Sequence, residues 1–315
     1  MVILGHTSPP FMKLIYGFHM PLFFMISGYL WKGKKRVKDS FLSGLRRYIL
    51  PYFILCTINM LRAPIFLFLH KPFPVTKYIV GILYSRGSTE WMPDCSPLWF
   101  LTAIFVTLMI FEIIQRCEHR LTRSLLIVFC GTASSLLSIY EIFKLPWNID
   151  TALMGTVFVA SGFAIAHNQF LQQFWSQSKQ KCLLIVVVTF IIGLSSIYLN
   201  PIEQVSFNNN RYGNIALMLL GAIGICGTLV TVAYRFPWEK THFHYLVWLG
   251  QHTIFVMGFD YFTGSIARFV LGKVGFENWL SVFFLKILML TIGCFVWTWA
   301  ISKIKAVRVR KVLMF

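Results

Sequence analysis

Two histidines, His6 and His19, stand inside apolar segments on either side of the breaker Ser8-Pro9-Pro10. An imidazole is costly to bury in hydrocarbon, so an ionisable group in such a stretch faces a protein interior or a wet cavity and marks a candidate functional site. With an ordinary pKa of about 6.5, it suits removal of a proton from a hydroxyl at neutral pH. Further on, Arg46 and Arg47 close a basic run that holds Lys32, Lys34, Lys35, Arg36 and Lys38. A guanidinium recognises phosphate oxygens in a planar, bidentate manner, although the same charges also mark where a helix leaves a membrane. Arg62, Asn214 and Asp260 are further polar side chains in or beside apolar segments, and each is a candidate to line a cavity. Trp99 opens another apolar segment, as an interfacial anchor or as a platform for a substrate.

These side chains need elements to position them, and the composition says which kind. Of the 315 residues, 57% are hydrophobic and 13% charged, whereas soluble domains carry about 25% charged residues. The chain therefore reads as all-α, a polytopic integral membrane helix bundle of about ten transmembrane helices forming one domain over residues 1–315. The first helix is expected to be truncated, because only Met1 to Leu4 precede His6 and a span needs about 20 residues. After that remnant the predicted spans lie near 14–31, 48–69, 98–115, 125–140, 151–166, 182–199, 213–234, 245–262 and 280–301. The polar stretch 70–97 is expected to be a long loop with a short re-entrant or surface piece. Pro21 falls within the second span, where a kink beside His19 is expected. There is no repeat at solenoid spacing, no heptad pattern and no cleavable signal peptide.

Lys and Arg number 29 against 11 acids. Most fall in alternate predicted loops, which orients the chain with a cytoplasmic C-terminus. On that orientation His6 and His19 occupy the outer half of the membrane, and Arg46 and Arg47 the inner face. The charge distribution fits a bilayer surface or an anionic co-substrate, and no basic face interleaved with exposed aromatics points to nucleic acid. The seven cysteines show no CxxC and no pairing with histidine, so neither a metal site nor a disulfide framework is predicted.

Five segments in order, Ile3 to His6 (ILGH), Phe18 to Leu30 (FHMPLFFMISGYL), Arg46 to Phe53 (RRYILPYF), Pro97 to Phe105 (PLWFLTAIF) and Leu249 to Met257 (LGQHTIFVM), resemble the membrane-bound acyltransferase-3 family, and within it the fucose 4-O-acetylase-like branch. The resemblance implies acyl transfer from a cytoplasmic acyl-coenzyme A, acetyl-coenzyme A foremost, to a hydroxyl of a surface glycan or lipid-linked sugar. Acyl-coenzyme A is then a co-substrate, and no bound cofactor is expected. The family's first-span histidine corresponds to His6, and its RR…LP motif to Arg46, Arg47, Leu50 and Pro51. His6 or His19 would serve as base, Arg46 and Arg47 would hold the donor's phosphates, and Trp99, Asn214, Arg62 and Asp260 would meet the acceptor. The segment Arg211 to Asn214 resembles the branch's loop before a late span.

The sequence departs from the family in three places. The arginine about ten residues before the family's histidine has no counterpart here, Asp260 stands where relatives often carry a histidine, and Ala103 and Ile104 stand where larger relatives carry a carboxylate. Because base and donor clamp fall on opposite sides of the membrane, the reading requires a passage for the donor's pantetheine arm. Two other function classes fit the same composition: a transporter or flippase for a sugar or anion, which would show paired broken helices in two related halves, and an inactive truncated paralogue.

Overall fold

The structure is a computed structural model that describes residues 2–33, 36–61, 74–85, 87–88, 90–92, 95–140, 144–168, 179–235 and 243–303. Its described elements are α1 (Val2–Gly5), α2 (Met12–Tyr29), α3 (Val37–Met60), α4 (Val75–Tyr84), α5 (Ser96–Gln115), α6 (Arg120–Ile139), α7 (Ile149–His167), α8 (Lys179–Leu199), α9 (Ile215–Arg235), α10 (His244–Gln251), α11 (Thr253–Lys273) and α12 (Trp279–Ser302). Eight of these segments are long and apolar enough to cross a membrane. The chain is a multi-pass helical bundle, as the composition predicts.

Helix α2 is the exception that explains the layout. Lys13, His19 and Pro21 lower its hydropathy, yet its middle is enclosed: Phe18, His19, Met20, Pro21, Phe24 and Met25 are all buried. It packs against α7, α9 and α8, and α5 and α6 also pack on α7. Phe24, Phe111 and Phe158 are fully buried where these helices meet. A helix that carries polar side chains sits inside such a bundle because its neighbours, unlike lipid, can partner them. Pro21 lies within one unbroken helix.

The α2–α7 crossing depends on two reciprocal glycines. A Cβ on Gly28 would lie 1.9 Å from the carbonyl oxygen of Val159, and one on Gly162 would lie 1.9 Å from that of Met25. Small residues at both positions let the two backbones touch, and close van der Waals packing is what joins helices in lipid.

Two predicted boundaries change, and a third element gains its bounds. The third span begins earlier, at Val37, so the end of the basic run is already helical, and Leu45–Ile49 forms a π-helical turn that carries Arg46 and Arg47. The short piece expected within the 70–97 loop has its bounds at Val75 and Tyr84, the ten-residue helix α4, held by Tyr52, whose hydroxyl donates to the Ile82 carbonyl at 2.6 Å. The predicted span near 245–262 is two helices, α10 and α11, divided at His252. Its membrane-length part is α11, which runs on to Lys273 and centres Asp260 in the bundle.

Candidate functional site

Helices α2 and α5 run side by side in the same direction, and a cavity opens at each end of the seam between them. At the end where both helices begin, a cavity of about 230 Å³ receives His6 from the turn after α1, Tyr16, His19 and Phe23 from α2, Trp99 and Phe100 from α5, and Tyr261 from α11. The loop between α8 and α9 closes it with Gln204, Ser206, Asn208 and Asn209. This is the histidine end.

His6 is fixed by a buried chain of charges. Its Nδ1 donates to Asp260 Oδ2 at 2.5 Å, and the Lys286 ammonium forms an ion pair with Asp260 Oδ1 at 2.8 Å. Asp260 and Lys286 are 0% and 1% exposed, whereas His6 keeps 18% of its side chain open. Two charges held this deep must be paired, and Asp260 has the His6 ring at one oxygen and the Lys286 cation at the other. With Nδ1 held by Asp260, Nε2 of His6 is an acceptor when the ring is neutral. From the opposite side, Arg268 Nη2 donates to the His6 carbonyl at 3.0 Å and holds the end of α1 in place.

His19 is set the same way by different means. It is buried, its Nδ1 donates to the Ile15 carbonyl at 2.8 Å, and Tyr16 stands edge-on with ring centroids 5.0 Å apart. Its Nε2 is therefore also an acceptor. The cavity thus holds two imidazoles, each held at Nδ1, together with aromatic walls and the amides of Gln204, Asn208 and Asn209.

The amide-bearing loop is rigidly held. Thr151 Oγ1 donates to the Phe207 carbonyl at 2.5 Å, and Lys144 Nζ donates to Asn209 Oδ1 at 2.7 Å and also to the Asn208 carbonyl. Asn200 closes the loop base by donating to the Tyr212 carbonyl and accepting from Asn214 N. That closure requires Gly213, whose φ is +65° and whose place a Cβ could not share with Asn200 Oδ1, 2.2 Å away. Burial pushes the pKa of the Tyr212 phenol up, so it stays a neutral hydroxyl, 3.2 Å from Ser134 Oγ.

At the other end of the seam, the arginine end, a second cavity of about 430 Å³ is lined by Arg47, Lys32, Ser40 and Ser43, with Tyr48 and Glu112 beside them. Arg47 lies 5.5 Å over the Tyr48 ring. Arg46 lines an adjoining cleft of about 460 Å³ that Arg47 shares. Both arginines are exposed, and hydroxyls, ammonium and guanidiniums together form a surface suited to phosphates.

Both cavities lie along the same two helices. The first ends at Phe23 on α2 and Phe100 on α5, and the second begins at Ile26 and Ser27 on α2 and at Phe105 on α5. About one helical turn, some 5 Å, separates them on α2. Phe100 fills that interval, packed against Phe23 and Phe24 with centroids 5.8 and 5.3 Å apart. The expected passage is therefore not an open tube: it is a seam with an aromatic partition.

The structure thus brings together His6, His19, Trp99 and, behind His6, Asp260 at one end, and Arg46 and Arg47 at the other. Trp99 is 7% exposed, so it is a wall of the cavity and not a surface anchor. Asn214 does not line the cavity; its Oδ1 accepts from Leu217 N at 3.1 Å and caps the start of α9. Arg62 lies outside the described residues. Lys286, Tyr261, Asn208 and Asn209 are additions. A lysine inside an apolar span is itself the signal that could have revealed Lys286.

A family model described as an acyltransferase domain matches residues 1–302. No curated protein and no solved structure matches the chain.

Proposed function

Because the chain belongs to the acyltransferase-3 family, we propose that it moves a short acyl group, acetyl foremost, from acyl-coenzyme A to a hydroxyl of a glycan or lipid-linked sugar. The arginine end faces the cytoplasm of a bacterial inner membrane and takes the anionic donor. The histidine end faces outward and takes the acceptor, and the C-terminus is cytoplasmic. The reading is carried by one observation: a solvent-reachable imidazole, oriented by a buried Asp260–Lys286 pair, lines a cavity walled by aromatic rings and amides.

The acceptor's sugar ring packs on Trp99, and its hydroxyls bond to the amides of Asn208, Asn209 and Gln204. His6 Nε2 removes the proton from one hydroxyl as its oxygen attacks the thioester carbonyl carbon. The imidazolium that forms is stabilised by the Asp260 carboxylate at Nδ1. Collapse of the tetrahedral intermediate breaks the carbon–sulfur bond, and the same proton passes from His6 to the departing thiolate, which leaves as coenzyme A thiol. His19 presents a second lone pair and bonds the acceptor. A cavity of about 230 Å³ is small beside the 300–1,000 Å³ of ordinary ligand pockets, which favours one sugar ring and a short acyl group.

The donor reaches this point when its pantetheine arm displaces Phe100 from between Phe23 and Phe24. Membranes carrying the protein are expected to release coenzyme A thiol from acetyl-coenzyme A only when acceptor is present. His6→Ala should lower that rate by about 100-fold or more, and Arg46→Gln with Arg47→Gln should raise the KM for donor with a smaller effect on kcat. Unchanged turnover in a His6→Ala, His19→Ala double variant rejects the histidine base. Sugar accumulation in proteoliposomes without coenzyme A would establish transport instead.

A further inference from the structure

At the arginine end, α5, α6 and α7 enclose a groove of about 730 Å³ that shares no lining residue with the donor or acceptor cavity. Arg120 and Arg123 from the first turn of α6 and His167 from the end of α7 form its mouth. Arg123 is held in place: its Nη1 donates to Gln115 Oε1 at 3.2 Å. Its Nε is shielded from solvent and has no hydrogen-bond partner among the described residues. Any anion therefore meets Arg123 at the partly exposed edge of its guanidinium that lines the groove, where a charge-assisted hydrogen bond is strong. His167 is held as well, stacked on Phe163 with centroids 4.1 Å apart and its Nδ1 donating to the Phe163 carbonyl.

The groove is cationic only at its mouth. Its floor is Ile127, Ala160 and Ala164, and one residue on along α6 the exposed stripe Leu121, Leu125 and Val128 faces outward into hydrocarbon. A charged mouth over an apolar floor that continues onto a lipid-facing stripe has the form of a bound phospholipid, headgroup above and chains below. The donor's phosphates are kept apart from it by Trp31, Phe111 and Phe163, which pack ring on ring between the two clefts.

We propose that this groove is a binding site for an anionic glycerophospholipid, whose phosphate accepts from Arg123 and Arg120 and whose acyl chains lie on the Leu121 stripe. The test reconstitutes the full chain in phosphatidylcholine nanodiscs with and without phosphatidylglycerol, and counts lipids retained by the protein in native mass spectrometry. Phosphatidylglycerol is expected to stay bound and to raise the unfolding midpoint. Arg120→Gln with Arg123→Gln should weaken that binding by about tenfold or more, whereas Arg46→Gln with Arg47→Gln should leave it unchanged. Arg120 is exposed, so the single Arg120→Gln variant keeps the test readable should the double variant fold poorly. Three results would overturn the proposal: equal retention of phosphatidylglycerol by wild type and Arg120→Gln, an equal shift of the midpoint by millimolar inorganic phosphate in phosphatidylcholine, or competition for the groove by acetyl-coenzyme A.

Discussion

The His6–Asp260–Lys286 chain joins three residues that are far apart in the sequence, 254 positions separating the first two. Each was visible alone as a polar group in an oily segment, but periodicity reports which residues are buried and not which of them meet. Asp260 gains its place in the site only when His6 is seen against it. The two charges also differ in what their loss should do. Lys286→Met leaves an Asp260 carboxylate without its cation, and removing one partner of a buried pair costs about 3–5 kcal/mol. Lys286→Met combined with Asp260→Asn removes both charges and should recover most of that stability in thermal unfolding. Acyl transfer by the double variant should nevertheless stay at least about 100-fold down, because His6 has lost the carboxylate that steadies its imidazolium. Equal loss of stability in single and double variants would show that the pair is not the isolated unit drawn from the geometry.

Most of the element list could be read from the sequence, because runs of about 20 apolar residues in a membrane protein have few other fates. The exceptions are physical. His252 divides a run that is apolar on both sides of it, and the π-helical turn under Arg46 and Arg47 leaves no mark in hydropathy. The helices' mutual arrangement was less legible still, since glycine in an apolar run signals close packing without naming the partner. At the α2–α7 crossing, Gly28→Ala and Gly162→Ala should each force the helices apart and destabilise by about 1–3 kcal/mol or more. Gly227→Ala, where a Cβ would meet nothing within 4 Å, should be neutral or slightly stabilising in the same assay. A crossing that tolerated alanine at both sites would not be the close contact described.

Across the whole molecule, polar machinery occupies the two ends of one seam, and the middle is ring against ring. The charge bias of the loops anticipated a two-ended protein; the partition at Phe100 has no counterpart in composition, because phenylalanine is common throughout the chain. That partition bears on more than the route of the donor. A continuous wet bore between cytoplasm and exterior would short-circuit the electrical gradient on which the cell runs, and protons would leak through it whether or not acylation was under way. With Phe23, Phe24 and Phe100 closed over the gap, an idle molecule would be an insulator, and under the proposed mechanism the threaded pantetheine arm would take the place of the rings and serve as its own stopper. Phe23→Ala with Phe100→Ala should therefore make energised vesicles lose their proton gradient faster, as read by a pH-sensitive dye, while the unaltered protein leaves it intact.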